Sequence, residues 1–531
     1  MRARAAFVGA LLGALTSLPL LGLYALGVRV GLPSVPFDIF DWLARVTPGA
    51  VIAFFIDTMI TIIHDFSLGP TADVAKAAEM AVAQLLLVGA GIVLGLVVAW
   101  RLSLGPGSGW AWGRSGGIIL ALAALAVEAL RGSLLSLPLG QLLLAVLWVA
   151  APPIVWGTLL GGAVQGVLAR AGAAAPSAGE AVSRRNLLLK VAVGSAGTAL
   201  ALWGLSNWPQ PQQEPTVAQQ PQPANLPTPP PAPAGRIEPA PGTRPEVTAN
   251  DKFYRVDINL IPPRVDGNSW RLVATGLFTK PRQFSLADLA AYPAVTMPVT
   301  LSCISNLIGG DLISNGYWTG LRLRDLLADL GLQPTARELH LRSADNFYES
   351  VVMSDMMDER TLLVYGMNGQ TLPVEHGYPL RIIIPDRYGM KQPKWIVSIE
   401  AAGQASLGYW PERGWSEEAM PQIMSQIDPV DVAATQNGKV PIGGIAWSGA
   451  QGISKVEVQI DSGAWQEATL RTPPLGPLTW VQWRYDWPAT GPGQHAARVR
   501  ATDGRGNKQI ERSTDAYPDG ATGYDSLTFV T

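Results

Sequence analysis

Long apolar segments fill most of the first two hundred residues of the 531-residue chain, and a mixed pattern of polar and apolar positions follows them. A helix needs about 20 apolar residues to cross a bilayer. Five segments approach or exceed this length: residues 5–28, 80–100, 116–130 with its flanks, 141–168 and 187–205. They predict an α-helical membrane bundle over residues 1–207, with about five spans.

A sixth apolar segment, residues 51–63, is shorter. It favours a helix at the membrane interface or a re-entrant segment, and a sixth span is the competing interpretation. Arginines discriminate between them, because cytoplasmic loops are rich in Lys and Arg. With Arg2 and Arg4 in the cytoplasm, five spans also keep Arg184 and Arg185 there, whereas six spans put that pair outside. We therefore expect a multi-pass protein of the cell membrane whose C-terminal half is extracytoplasmic.

The remainder of the chain has three parts. Residues 208–247 are dense in Pro, Gln and Ala, which predicts an extended linker without a packed core. Residues 248–426 mix strand and helix patterns, and residues 427–531 show short alternating strands between Gly-rich turns, typical of a β-sandwich. In the first of these two parts we expect strands at 270–276, 296–302, 339–341 and 382–384, helices at 285–291, 321–330 and 353–360, and a turn at 318–320. In the second we expect strands at 440–447, 453–460, 478–485, 495–502 and 527–530.

Composition narrows the possible functions. The net charge is −2, so there is no basic field of the kind that nucleic-acid binding requires. The chain has four histidines, and His64 is the only one before residue 208, which argues against a haem held by two histidines among the membrane helices. We expect no nucleic-acid partner and no haem of that type.

The single cysteine, Cys303, is the first candidate for chemistry. It cannot form an intrachain disulfide or belong to a multi-cysteine metal site, so it is either a small buried side chain or a single reactive or metal-binding thiolate. Asn306, Gly309, Gly310 and Asp311 follow it, a composition that suits a loop whose backbone approaches a ligand closely.

Two stretches resemble a known family. TLSCISNLIGGDLISNGYWTGLRLRDLL and, later, MNGQTLPVEHGYPLRIIIPDRYGMKQPKWIVSIE are similar to the molybdopterin domain of the sulfite oxidase family, and the resemblance runs from about residue 248 to 531. It implies a mixed α+β molybdopterin-binding catalytic domain over 248–426, followed over 427–531 by an immunoglobulin-like β-sandwich through which homodimers form. It also implies the cofactor molybdenum-molybdopterin, and identifies the chain as a membrane-anchored bacterial type.

The resemblance assigns roles to individual residues. Cys303 would bind the metal, and Arg255 and Tyr348 would face the substrate beside it. The cofactor would lie among residues that the family uses to line or grip it: Phe253, Tyr254, Arg255, Asp345, His376, Arg381, Gln392 and Lys394. An arginine fork suits an oxyanion or a phosphate, and a thiolate suits a transition metal.

The chain also departs from the family. Asn306 is followed by Leu307 and Ile308 where sulfite oxidases carry an arginine pair, and a further pocket arginine is replaced near Gln451. Each lost charge-assisted contact removes about 1.5–3 kcal/mol, so a neutral or weakly charged substrate is expected. The haem domain of the animal enzymes is absent from the sequence, so electrons should pass to a separate carrier such as a c-type cytochrome or a membrane quinone system.

Residues 183–190, SRRNLLLK, resemble a twin-arginine export signal, although two arginines beside a membrane helix are the ordinary alternative. That pathway exports folded domains, which suits a cofactor inserted in the cytoplasm. We therefore expect an extracytoplasmic molybdenum oxidoreductase that performs oxygen-atom transfer. The alternatives are an S- or N-oxide reductase of the same family, and a cofactor-free, membrane-tethered interaction protein.

Overall fold

The computed structural model describes residues 2–105, 107–131, 139–169, 178–207, 226–235, 237–259, 261–489 and 491–531. Residues 208–225, most of the predicted linker, lie outside this description. The chain divides into two compact units. The first comprises Met1–Thr47 and Lys76–Gln213, and the second comprises Pro48–Ala75 and Glu214–Thr531.

Seven helices occupy the N-terminal part: α1 (Arg2–Arg29), α2 (Val35–Val46), α3 (Gly49–Asp65), α4 (Thr71–Ser103), α5 (Gly109–Leu130), α6 (Leu139–Ala169) and α7 (Ala178–Asn207). Among the described residues, five of them are long and apolar enough to cross a membrane, namely α1, α4, α5, α6 and the Leu188–Ser206 part of α7. These are the five predicted segments, and α3 is not among them. The sequence analysis did not predict α2.

Glycines let α5 and α6 approach closely. A Cβ added to Gly113 would lie 2.1 Å from the carbonyl oxygen of Gly157, and one added to Gly161 would lie 2.0 Å from that of Gly109. Small residues four apart permit such backbone contacts between membrane helices. Beside them, Arg131 forms ion pairs with Asp38 and with Asp41, which joins the end of α5 to α2.

In the described residues, one mixed sheet, one antiparallel sheet and three short helices form the first part of the second unit. The elements are β1 (Leu272–Gly276), β2 (Arg282–Phe284), α8 (Leu286–Ala290), β3 (Ala294–Ser302), β4 (Ile313–Arg322), α9 (Leu323–Leu330), β5 (Glu338–Ser343), β6 (Tyr348–Val352), α10 (Met353–Met356), β7 (Leu362–Met367), β8 (Gln370–Thr371), β9 (Arg381–Ile383) and β10 (Ile396–Ala402). One sheet has the order β2-β1-β10-β5-β6, with β1 and β10 parallel. The other has the order β3-β4-β7-β8, with β9 paired to β7.

Two predicted elements were wrong in this part. Residues 318–320 form no turn, because they lie inside β4, where Trp318 pairs with Met297 on one side and with Met367 on the other. Helix α9 consequently begins at Leu323. The predicted helix 353–360 ends at Met356, and the Thr361 hydroxyl donates to the carbonyl oxygen of Asp355 at 2.6 Å in place of a helical bond.

Eight strands follow: β11 (Met424–Ile427), β12 (Lys439–Trp447), β13 (Ile453–Ile460), β14 (Gln466–Glu467), β15 (Thr469–Leu470), β16 (Val481–Pro488), β17 (Gln494–Asp503) and β18 (Asp525–Val530). They form two antiparallel four-stranded sheets with the orders β11-β12-β16-β15 and β14-β13-β17-β18. Val440 and Trp483 of the first sheet share a buried core with Val456 and Val499 of the second. The immunoglobulin-like identity of this part and its role in dimerisation stay predictions.

Candidate active site

Cys303 begins the loop that follows β3. Its N–H donates to the carbonyl oxygen of Leu312 at 2.9 Å, and the N–H of Leu312 donates to the Asn306 side chain at 2.9 Å, so the loop is closed on itself. The thiol sulfur lies 2.9 Å from the Ser305 hydroxyl oxygen. Burial raises the pKa of the Cys303 thiol, so a positive ligand such as a metal ion would be needed to favour the thiolate.

Tyr254 lies close to this thiol. Burial raises the pKa of its phenol, the nearby Cys303 adds to the shift and Arg381 opposes it, so the hydroxyl is within electrostatic range of both groups. A Cβ added to Gly389 would lie 2.7 Å from the Tyr254 hydroxyl and 3.4 Å from the Ser302 carbonyl oxygen. The glycine thus lets the Gly389–Lys391 turn approach the end of β3.

Arg381, the first residue of β9, is a buried cation. Only 5% of it is exposed, its Nη1 donates to the carbonyl oxygen of His376 at 3.1 Å, and its guanidinium lies 4.7 Å from the Trp318 ring centroid. Its Nε has no hydrogen-bond partner within the described residues. Burial lowers the pKa of Arg381 to about 10. A buried guanidinium that forms no ion pair with any described carboxylate fits an anionic group such as a pterin phosphate.

His376 is also buried, with its Nε2 2.8 Å from the carbonyl oxygen of Asn250 and its ring against the edge of Phe253. Burial lowers the pKa of His376 to about 4. The imidazole is therefore neutral at pH 7, and with Nε2–H donating to Asn250 its Nδ1 can accept a hydrogen bond.

Asp257 joins two of the predicted residues. It forms ion pairs with both Arg255 and Lys394 and is buried. Burial alone would raise its pKa, but the two cations together hold the pKa of Asp257 below its ordinary value. Lys394, whose pKa burial lowers, is also within electrostatic range of Asp345.

Asp345 and Gln392 complete the predicted cofactor set. Burial raises the pKa of Asp345 to about 6, and its Oδ1 accepts the N–H of Phe347 at 3.0 Å. The Gln392 side chain stabilises the segment between β9 and itself, because it accepts from the Ile384 N–H at 3.3 Å and donates to the Arg387 carbonyl oxygen at 2.9 Å. The contacts therefore link Cys303, Tyr254, Phe253, Arg381, His376, Asp257, Lys394, Arg255 and Asp345 into one region.

Tyr348 lies among other aromatic residues. Its ring packs against Tyr409 with centroids 5.8 Å apart, and its hydroxyl donates to Glu412. These contacts do not join Tyr348 to Cys303, so its place beside the substrate stays a prediction.

Sequence reasoning missed two contributors. Asp257 lies two residues after Arg255, a spacing that puts both side chains on one side of extended backbone and could have suggested the pair. Trp318 gave no such signal, because it is 63 positions before Arg381 and meets it only through the pairing of β4, β7 and β9. In the described part of the chain, no three His, Cys, Asp or Glu side chains group as a metal site.

Neutral side chains occupy the positions at which this chain lacks the arginines of the family. Leu307 and Ile308 pack against an apolar cluster that includes Tyr388 and Trp447. Gln451 donates to the Asp386 carboxylate at 3.3 Å. Neutral groups therefore occupy both places.

Residues 259–410 match the model of the oxidoreductase molybdopterin binding domain. Mitochondrial sulfite oxidase of Mus musculus is 29% identical over 294 residues, covering 46% of this chain and 54% of the mouse protein. Sulfite oxidase of Arabidopsis thaliana is 30% identical over 275 residues, covering 42% of this chain and 70% of the plant protein. Nitrate reductase [NADH] 1 of Oryza sativa subsp. japonica is 26% identical over 270 residues, covering 40% of this chain and 30% of that protein. The chain thus spans about half the length of the mouse relative.

Proposed function

The chain belongs to the sulfite oxidase family of molybdopterin-dependent oxidoreductases, and from that membership we propose that it transfers an oxygen atom to or from a small substrate of low charge. The cofactor of the family is molybdenum bound to molybdopterin, which supplies the oxygen-atom transfer and the two-electron redox change when bound. The observation that carries the proposal is the buried Arg381, which forms no ion pair within the described residues and is in electrostatic range of the same tyrosine as Cys303.

Each residue of the site has a proposed part. Cys303 binds the metal through its thiolate. Arg381 holds the phosphate of the pterin, and the neutral His376 offers Nδ1 to a pterin N–H. Lys394 and Arg255 both pair with the buried carboxylate of Asp257, which holds the two cations together beside the proposed cofactor site.

Two tyrosines in the surroundings of Cys303, the proposed metal ligand, support a substrate of low charge. Tyr254 and Tyr388 are both within electrostatic range of the Cys303 thiol, and burial raises the pKa of each phenol, that of Tyr388 to about 12. Both phenols therefore remain protonated at neutral pH and can donate a hydrogen bond to a substrate without adding positive charge. A doubly charged sulfite would lack two of the three arginines that the family offers, a loss of about 3–6 kcal/mol at 1.5–3 kcal/mol for each contact.

Reduction of an S- or N-oxide is the second candidate. A neutral phenol can donate to the oxygen of a sulfoxide or an N-oxide without needing a counter-charge, and the rice relative carries the name of a reductase. The two directions use the same site and differ in the substrate that the enzyme turns over.

The proposed setting is the outer side of the cell membrane. The five apolar helices support anchoring, and the positive-inside distribution of arginines supports an extracytoplasmic catalytic part. Electrons would pass to or from a separate carrier, a c-type cytochrome or the membrane quinone pool. A homodimer through residues 427–531 is part of the same proposal.

The first experiment is elemental analysis of the full-length chain, purified from a host that makes the cofactor. We expect close to one molybdenum atom per chain. A well-folded protein without molybdenum would overturn the catalytic proposal and favour the tethered interaction protein. With the metal present, sulfite with an electron acceptor is assayed against sulfoxides and N-oxides with a reduced dye. The proposal of a weakly charged substrate fails if sulfite gives the highest kcat/KM.

A further inference from the structure

Helix α3 (Gly49–Asp65) belongs to the same compact unit as the candidate active site, although it precedes four of the five apolar helices in the chain. Ala53, Ile60 and Ile63 are buried, at 1%, 6% and 3% exposure. At Gly49 an added Cβ would lie 1.9 Å from the Arg413 carbonyl oxygen, so the helix begins in direct backbone contact with that segment. One side of α3 is therefore packed as part of a folded domain.

The packed side of α3 reaches the loop that carries Cys303. Ala53 lies in one apolar cluster with Ile304, the residue after the cysteine. His64 Nε2 would lie 3.4 Å from a Cβ added to Gly309. Beyond the helix, the Thr71 N–H donates to the Asp311 carboxylate at 2.9 Å. Helix α3 and the residue that begins α4 thus lie beside the loop from Cys303 to Asp311, and the hydrogen bond from Thr71 to Asp311 joins them.

The opposite side of α3 is apolar and exposed. Phe54 and Phe55 are 65% and 62% exposed, Val51 is 43% and Ile62 is 47%. At 3.6 residues per turn these four side chains share an arc of about 100°, which faces away from the buried residues. The exposed Thr58 and Asp65 lie in the same arc, so the stripe is apolar apart from these two residues. Single exposed apolar residues are common, but a group of four on one side of a helix marks an interaction surface.

The chain itself indicates what covers this stripe. Five residues separate Asp65 from Thr71, which begins the candidate span Thr71–Ser103. A connection of that length reaches at most about 20 Å at 3.3–3.6 Å per residue. The end of α3 therefore lies near the point where the chain enters the membrane. The connection continues the stripe with Phe66 and Leu68, which are 72% and 54% exposed.

We propose that α3 lies in the plane of the membrane surface, with its Phe54 and Phe55 side in the lipid and its other side on the catalytic unit. An amphipathic helix of this kind buries its apolar face about 5–10 Å into the headgroup boundary. The helix then holds the Cys303 loop at the membrane surface, where a substrate or an electron carrier moves along the bilayer. The occupant of the stripe is lipid and not a further protein.

The test uses the full-length chain in vesicles of phosphatidylcholine and phosphatidylglycerol. Spin labels are attached to Phe54→Cys and, separately, to Ile62→Cys, and accessibility to oxygen and to a water-soluble nickel complex gives the depth of each label. Unsubstituted protein shows any labelling of Cys303, and Glu467→Cys, on a side chain 70% exposed in β14, is the aqueous reference.

Both labels are expected to be reached by oxygen, shielded from nickel and equal in depth within a few ångströms. Eight residues of helix span about 12 Å, so depths that differ by about 12 Å would mean a spanning helix and overturn the proposal. Nickel access like that of the Glu467→Cys label, or shielding from both reagents, would overturn it too. Molybdenum content is measured on each variant, so failure here is separate from failure of the catalytic proposal.

Discussion

At the scale of single residues, the most informative group is the buried cation Arg381. Without an anionic ligand it is desolvated, and within the described residues its guanidinium donates to the backbone of His376 while its Nε has no partner. Arg381→Met should therefore stabilise the cofactor-free protein, by about 1–3 kcal/mol, because it removes unsatisfied buried donors. The same change should lower the molybdenum content to less than half, since a phosphate loses its buried fork. Chemical unfolding and elemental analysis of the two forms measure these opposite effects.

Arg360→Met is the matched control for that experiment. Arg360 is 40% exposed at the side chain and is paired with Asp358, so its removal should change neither quantity by much. If Arg381→Met destabilised the cofactor-free protein and left molybdenum content unchanged, Arg381 would have only a structural role, and its assignment to the cofactor would be wrong.

The free energy of unfolding should depend on pH through Asp257. Lys394 and Arg255 hold the pKa of Asp257 in the folded protein below its ordinary value. The ionised carboxylate therefore stabilises the fold fully at pH values above the unfolded-state pKa of about 3.9. This stabilisation is lost as the pH falls from there through the lower folded-state pKa. Asp257→Asn should cost about 3–5 kcal/mol at pH 7, because it leaves the buried Lys394 without its charge partner.

Urea unfolding of both proteins between pH 7 and pH 3 measures this difference. The gap between wild type and Asp257→Asn should be constant from pH 7 to about pH 5 and should shrink below about pH 4. A gap that stays constant down to pH 3 would mean that the carboxylate charge is not the stabilising feature. Asp358→Asn, at a partly exposed pair with Arg360, should give a much smaller gap at every pH.

At the scale of elements, the turn between β8 and β9 depends on Gly377. Its φ is +116°, and an added Cβ would lie 3.0 Å from the Arg381 Cβ and 3.1 Å from the Lys394 Cβ. Gly377→Ala should destabilise the protein by about 1–3 kcal/mol through backbone strain. It should also lower molybdenum content, because the added methyl group displaces Arg381 and Lys394, two residues proposed to bind the cofactor.

Gly403→Ala provides the comparison, since a Cβ there would meet its nearest atom, the Thr335 carbonyl oxygen, at 3.4 Å. That variant should unfold within about 0.5 kcal/mol of wild type. Equal effects of the two substitutions would show that the Gly377 conformation is not needed to bring Arg381 and Lys394 together.

How far the sequence predicts these elements depends on what fixes each one. Local patterns predicted the strand before Cys303 and the apolar spans, because alternation and long apolar runs are properties of neighbouring residues. Trp318 was assigned to a turn, since its Gly-rich neighbourhood hides the two strands that pair with β4 on either side. The cofactor residues were predicted from a family resemblance, whereas the Arg381–Trp318 contact depends on packing between distant segments that no local pattern encodes.

At the scale of the whole molecule, a segment from the apolar N-terminal part of the chain belongs to the same compact unit as the C-terminal half. The division at residue 208 follows composition, yet α3, far before it, packs with residues 304–313 in an apolar cluster around Trp415. Composition could not reveal that α3 packs in the second unit, because α3 is as apolar as a short membrane segment. Its buried and exposed faces are both apolar and differ in the residues that they contact. A fragment that starts after the linker would expose that cluster, so biochemical work is best done on the full chain.

The arginine pair before the last apolar helix allows a test of how the catalytic part crosses the membrane. If Arg184 and Arg185 belong to a twin-arginine signal, their identity matters and not only their charge, whereas the positive-inside rule counts lysine and arginine alike. Replacing both by lysine should therefore leave the first four spans unchanged but keep the catalytic part in the cytoplasm. Protease accessibility of a C-terminal epitope in spheroplasts measures this. The control is the double variant Arg2→Lys and Arg4→Lys, which replaces two other arginines by lysine and keeps their charge. An epitope that is cleaved equally in both double variants would show that the arginine pair is only a flanking charge. Export of a cofactor-loaded domain would then need another explanation.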